Sequence, residues 1–388
     1  MTFTTAEAAL LTELTTYRHH LHAHPELSGH EVQTTDYIEK ILQKWNIDIV
    51  PTTLPTGVIA EIGNRDKGPT IALRADIDAL PINELAEVSY RSRNAGVMHA
   101  CGHDVHTASL LGGAFLLNQS ASDLPGCVRL IFQPAEEANE GALQVIRAGH
   151  LNGVAAIIGF HNRPQLAVGK IGIRAGAIAG AIDKFAVTLR GKGTHAAHPE
   201  AGVDPIVALT AVVSALQSII SRNVPPLHGA VLSVTELHAG NVWNVLPAEA
   251  VFSGTVRTLE AADRQLIHSR FSDIVTHTAA AYGVEADIDW QSGDPAVTND
   301  QRLSAIVADE CRRFADVFTN LPSLGSDDFA CYQQLVPGVY ATIGAGGSEG
   351  LHHGGYTADD RTLLYGALFF ERNAKRLLRE FADEGGVN

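Results

Sequence analysis

MHACGHDVHTA, residues 98–108, places three histidines, a cysteine and an aspartate within eight positions. Each of these side chains can bind a metal or carry a proton. In an extended segment, His99, Cys101 and His103 point to one side, because strand side chains alternate. If a helix begins near Asp104, His103 and His106 sit one turn apart on a shared face. Spacing alone leaves the ligand set open. The chain holds 18 histidines, so a buried cysteine among capping and surface histidines is the plain alternative. A thiolate beside imidazoles suits Zn²⁺, and a purely structural clip over residues 99–106 would need four such ligands.

The flanking segments set the context. Apolar or alternating runs predict strands at GVIAEIG (57–63), TIALRAD (70–76), VRLIFQP (128–134) and AAIIGFHN (155–162). Helical patterns lie at 5–22 and 30–45, broken by HPELSG (24–29), and again at 105–119 and 140–149. Strands alternating with helices predict an α/β fold, a mostly parallel mixed sheet flanked by helices. Ligands collect at the carboxyl ends of strands in such sheets. The chemically rich segments fall there: RADID after TIAL, PAEE after RLIFQ, HN after AAIIGF.

Beyond residue 182 the rhythm changes. Strands at 183–191, 230–240, 248–259 and 284–290 alternate with helices at 204–222 and 261–283. That βαββαβ order is the split βαβ arrangement of a small, ferredoxin-like α+β domain. The expected organisation is one domain of 1–181 and 292–388 with a second, 182–291, inserted into it; 388 residues suit two cores.

Bulk properties exclude several classes. A formal charge of −15 speaks against nucleic acid and against an anionic membrane surface. The start, MTFTTAEAALLTEL, lacks a basic leader region, and runs such as GVAAIIGF fall short of a membrane span. Four cysteines without CxxC spacing suit a reducing cytoplasm.

Three further stretches carry chemistry. In FQPAEEANEG (132–141), the adjacent Glu136 and Glu137 can face different directions at a loop start, one to hold a metal and one to move protons; acidic pairs also simply complement helix dipoles. His161 follows a buried-looking strand. In GLHHGGYT (350–357), His352 and His353 sit among glycines that let backbone approach a site closely.

Taken in order, LRADIDALPI, MHACGHDVHTA, FQPAEE, GFHN, GKGTHAAHP, NVLP, GTVRT and LHHGGYT resemble the aminoacylase/carboxypeptidase family of two-metal amidohydrolases, in its hippurate-hydrolase and indoleacetyl-amino-acid-hydrolase-like branch. The resemblance runs from RHHLHAHPELS to the C-terminal helix. It implies that Cys101, His103, Glu137, His161 and His352 are metal ligands, with Cys101 bridging two divalent ions. Thiolate ligation favours Zn²⁺, while Mn²⁺, Co²⁺ or Ni²⁺ also fit the remaining donors. It implies Glu136 as the general base and an inserted domain that mediates homodimerisation, or a higher homo-oligomer, and helps close the site. From that domain His195 would reach across the dimer to stabilise an oxyanion, and Asn244 and Arg257 would grip a substrate carboxylate.

The chain departs from the family pattern at two places. Gly354 replaces the usual proline after LHH, which predicts a looser loop. GSDDFA replaces the branch's usual SEDF, making Asp327 a shortened acid. Asp76 and Asp78, with Arg74, are expected to support the site. The implied activity is hydrolysis of N-acyl amino acids to a carboxylic acid and a free amino acid. A metallo-dipeptidase or carboxypeptidase acting on short peptides is the near rival, and a non-catalytic metal-binding protein the distant one.

Overall fold

The computed structural model describes residues 4–385. The chain divides into two compact units. One comprises the chain through Gly176, Thr298–Leu321 and the chain from Asp328; the other comprises Ala177–Val297 and Pro322–Asp327.

The first unit is built on an eight-stranded mixed sheet. Its spatial order is Asp48–Ile49, Val58–Gly63, Cys127–Gln133, Thr70–Asp76, Val154–Arg163, Gly338–Gly344, Lys170–Gly172, Asp316–Phe318. The four central strands run parallel. Antiparallel pairing enters at Val58–Gly63 on one side and at Lys170–Gly172 on the other. Every residue of Thr70–Asp76 and Cys127–Gln133 is buried, as expected of parallel strands covered by helices. Their register aligns Asp76 with Gln133, so their carboxyl ends open at one edge of the sheet.

Helix Thr5–Ala23 starts with a capping box between Thr4 and Glu7. Helices His103–Asn118 and Thr362–Gly385 pack on each other and on the sheet, burying Leu110, Leu111, Phe369 and Phe370 in one core. His103–Asn118 starts directly after Gly102, whose φ of 88° is left-handed. A Cβ at Gly102 would collide with the Asn162 amide and the Tyr356 hydroxyl. Only glycine lets the chain turn into that helix here.

The second unit is a four-stranded antiparallel sheet, ordered Ala230–Ala239, Glu249–Thr258, Ala181–Arg190, Glu285–Ser292. With helices Pro205–Arg222 and Ala261–Ala281 it forms the split βαβ pattern and a separate core around Phe185, Phe252 and Phe271. Asp204 caps the first helix through the Ile206 N–H at 2.8 Å, with Pro205 in its first turn. By length and composition, Pro205–Arg222 is apolar enough to cross a membrane, a longer apolar element than the strand-like runs considered above. Its Ala208, Leu209, Val212, Leu216 and Ile219 line the second core, which accounts for its hydrophobic face.

Candidate metal centre

The loops that follow the central strands, together with the start of helix His103–Asn118, bring distant side chains to one place. Ligand atoms of Cys101, His103 and His161 lie within 4.8 Å of one another, as do those of Cys101, Glu137 and His352. The two triads share Cys101. Its Sγ is 3.3 Å from Nε2 of His161 and 3.3 Å from Nε2 of His352. His103, Glu136 and Glu137 form a third overlapping group, with His103 Nε2 3.9 Å from a carboxylate oxygen of each glutamate.

Neighbouring groups orient these donors. His103 presents Nδ1 to the Asp78 main-chain oxygen at 2.9 Å and to Asp78 Oδ1 at 3.2 Å, turning Nε2 toward the cluster. His161 presents Nδ1 to the Asn162 oxygen at 2.7 Å. Using one ring nitrogen in this way leaves the other oriented to meet a metal ion. Asp78 is itself held by the Ser28 hydroxyl at 2.6 Å and the Glu137 N–H at 3.0 Å.

His106 resolves differently. Its Nδ1 meets Asp76 Oδ1 at 2.6 Å, and its Nε2 accepts the Asn162 backbone N–H at 2.9 Å. Both nitrogens are committed within the protein, so His106, which also clusters with Asp76 and His103, stands as a support and lies outside the two Cys101 triads. His99 also stays out of the cluster, since it belongs to neither triad; burial pushes it down to about 4, which keeps it neutral. Asp76 joins His106 to Arg74, whose Nη1 donates to Asp76 Oδ2 at 2.6 Å. The other end of that guanidinium donates to Asp328 at 2.7 Å. Asp327 falls in the Pro322–Asp327 segment of the second unit.

The His352 loop is tied down, in contrast to the looseness predicted from Gly354. His352 has φ 60° and donates its N–H to Ala100 at 2.9 Å. Leu85 N–H donates to the Gly354 oxygen at 2.6 Å. A Cβ on residue 354 would come within 2.5 Å of the Asn83 oxygen, so the glycine permits a close approach. His353 turns to Glu349, 3.6 Å away.

Electrostatics favour a cation here. Burial opposes charge on His103, yet Asp76, the Cys101 sulfur and Asp78 outweigh it and raise its pKa well above the ordinary value. Burial pushes the Cys101 thiol well up, with His103 pulling the other way. Burial likewise works against ionised Glu137, but His352 and His103 hold it below the usual carboxylate range. His103 Nε2 and Glu137 Oε1 are buried without a hydrogen-bond partner, although such groups are normally satisfied. Sulfur, imidazole and carboxylate donors match the ligand preferences of Zn²⁺ and related ions. By donor chemistry and by these orphaned atoms, the residues fit divalent metal.

His195, Asn244 and Arg257 all belong to the second unit. Strands Thr194–His195 and Val245–Leu246 pair with His195 opposite Val245, and Ala196 N–H donates to the Asn244 oxygen at 3.0 Å. His195 and Asn244 are thus neighbours, both near the Glu249 end of the unit's longest strands. Arg257 lies toward the other end, opposite Ile182, with its guanidinium on the Thr255 hydroxyl. Eight residues of strand separate it from Glu249, on the order of 25 Å.

Residues that sequence reading did not single out also shape the site. Asn162 donates from its amide to the Cys101 oxygen at 2.7 Å and accepts the Tyr356 hydroxyl at 2.6 Å. Its place in GFHN, beside His161, was the available signal.

A thiol shared by two donor triads at the carboxyl edge of an α/β sheet, with a further carboxylate alongside, is the architecture of a metal-dependent hydrolase. The comparisons make this specific. The chain belongs to peptidase family M20/M25/M40, whose model matches residues 72–376. It is 45% identical over 362 residues to an N-acetyl-L-cysteine deacetylase of Bacillus subtilis (strain 168), covering 93% of this chain and 87% of that protein. It is 34% identical over 375 residues to an IAA-amino acid hydrolase of Arabidopsis thaliana, covering 94% and 85%. A crystal structure of a Bacillus subtilis protein, described as a dinuclear metal binding peptidase from the M20 family, matches with a TM-score of 0.88 at 41% identity, covering 96% of this chain and 99% of that one.

Proposed function

We propose that the protein is a metal-dependent amidohydrolase that cleaves N-acyl amino acids to a carboxylic acid and a free amino acid. The observation that carries this reading is Cys101, whose sulfur belongs to two donor triads while Glu136 stands beside both histidine and glutamate donors. The N-acetyl-L-cysteine deacetylase and the IAA-amino acid hydrolase among its relatives agree with it.

Cys101, His103 and His161 would hold one ion and Cys101, Glu137 and His352 the other, with Zn²⁺ or Mn²⁺ the leading candidates. Such ions polarise a carbonyl and bring the pKa of water from 15.7 toward about 7. Glu136 accepts a proton from the attacking water and delivers it to the departing nitrogen, which turns a poor amide leaving group into an amine. Asp78 keeps His103 aimed, and Asp76 keeps His106 in place behind it.

The second unit supplies substrate contacts and dimerisation in this reading. His195 and Arg257 lie too far apart within one unit for a single acyl amino acid to touch both. In this reading the enzyme works as a homodimer, in which His195 reaches the partner subunit's substrate and Asn244 and Arg257 grip the substrate's free carboxylate. A cytoplasmic location accords with four cysteines that lack CxxC spacing.

The test is a panel of N-acetyl and N-benzoyl amino acids set against dipeptides, with chelated protein reloaded with Zn²⁺ or Mn²⁺. Turnover of the acyl amino acids that disappears with the metal supports the proposal. Selective turnover of dipeptides moves the assignment to a peptidase, and metal binding without turnover of either class removes the enzymatic reading.

A further inference from the structure

The segment that carries Glu136 is held from both sides. Strand Cys127–Gln133 runs into Pro134 and then Ala135, whose φ of 52° is left-handed. Residues with a Cβ avoid that region unless their surroundings impose it. The Ala135 carbonyl accepts the Glu140 and Gly141 N–H groups at 3.3 and 3.1 Å in the local turn, while two carboxyl groups distant in sequence hold the N–H side. Glu31 Oε1 accepts the Ala135 N–H at 2.8 Å, and Asp78 Oδ2 accepts the Glu137 N–H at 3.0 Å. The N–H groups on either side of Glu136 are thereby fixed.

Asp78 also contacts His103, so its role is mixed. Glu31 is cleaner. It is fully buried at 0% exposure. Its Oε1 also accepts the Gly29 N–H at 2.9 Å, and its Oε2 accepts the Thr56 hydroxyl at 2.7 Å. None of its side-chain hydrogen bonds reaches a donor of either triad; the connection to the chemistry runs through Ala135. Three donors converging on one buried carboxyl leave it little freedom, which suits an anchor.

We infer that Glu31 is a positioning residue for the reaction: it imposes the left-handed turn at Ala135 that aims Glu136 at the substrate. This rests on the reading of Glu136 as the proton carrier. Losing the anchor lets residue 135 relax toward an ordinary conformation and swings the Glu136 side chain off line. Misplacement of a reacting group by about 1 Å can cost on the order of 10²-fold.

The experiment compares metal-loaded wild type, Glu31→Gln and Glu31→Ala, each with Glu136 intact and in a Glu136→Gln background. With Glu136 intact, kcat should fall at least about 10-fold, more for Ala than for Gln, while KM and metal content stay near wild type. In the Glu136→Gln background the same changes should add less than about 2-fold, because residues acting through one group are not additive. Ala135→Gly, which adopts positive φ freely, should recover part of the loss in Glu31→Ala. If the Glu31 variants do not fold, Ala135→Val with Glu31 intact should reproduce the kcat loss. Wild-type kcat in a folded Glu31→Ala, full additivity with Glu136→Gln, or loss of metal in step with kcat overturns the inference. Wild-type turnover in Glu136→Gln alone overturns the underlying assignment of the base instead.

Discussion

His103 Nδ1 lies 2.9 Å from the main-chain oxygen of Asp78 and 3.2 Å from its carboxylate. This contact sets which imidazole nitrogen faces the cluster, and it links the end of strand Thr70–Asp76 to the start of helix His103–Asn118. Asp78→Ala removes the carboxylate but keeps the main-chain acceptor. Metal affinity, measured by competition with a chelator, should weaken about 10- to 100-fold. An unchanged dissociation constant would mean that the main-chain oxygen alone orients the ring.

Glu136→Gln should lower kcat by about 10²–10⁴-fold while leaving metal content near normal. Elemental analysis alongside steady-state kinetics checks both halves. A variant that loses its metal would make Glu136 a ligand.

The proposed reach of His195 across a dimer leads to a complementation test. His195→Ala and Arg257→Ala should each be severely impaired, by about 10²-fold or more for the oxyanion donor. In the proposed homodimer, random pairing of co-expressed variants would make half the dimers mixed, and each mixed dimer would retain one intact site. About a quarter of wild-type turnover should therefore return. No recovery would place both residues at the same subunit's site.

Arg18 and Asp104, both fully buried, pair at 2.9 Å, with His22 on the same Asp104 oxygen at 3.0 Å. Arg18→Met leaves a buried carboxylate short of its main partner and should cost about 3–5 kcal/mol in denaturant unfolding. Burial opposes ionisation of Asp104, but Arg18 and His22 outweigh it and hold its pKa far below the ordinary carboxylate value. The folded-state pKa is depressed, so the associated stability is present above the unfolded value of about 3.9 and is lost as pH falls toward the folded one. Arg18→Met should therefore show a smaller acid-dependent loss than wild type. An equal slope for both proteins below about pH 4 would show that Arg18 does not set that titration.

Chelation should abolish hydrolysis without melting the protein, because the first unit's large hydrophobic core does not depend on the donors. Circular dichroism and turnover followed on one chelated sample check this. Coincident loss of fold and activity would return the structural clip.

Much of the scaffold was readable along the chain. Thr70–Asp76 and Cys127–Gln133 announce themselves as largely apolar runs, each interrupted by one arginine, Arg74 or Arg129, because strands covered on both faces need few polar side chains. The second unit's βαββαβ order followed from a change in period. The mixed edges of the large sheet did not, because pairing direction depends on partners far away in sequence. Glu31, inside a stretch that reads as a helix start, gave no hint that it reaches Ala135, 104 residues on.

The sequence by itself put forward the candidate donors: Cys101, His103, Glu136, Glu137 and His352 stand in loops or at a helix start, and His161 near the end of strand Val154–Arg163. Only the tertiary structure decided their parts. It closed both nitrogens of His106 with Asp76 and Asn162, set His352 Nε2 beside Cys101 and His353 beside Glu349, and made Gly354 a point of close contact. Ligand choice depends on which atoms lie a few ångströms apart and which lone pairs are already occupied, and those distances exist only once segments hundreds of residues apart have packed together.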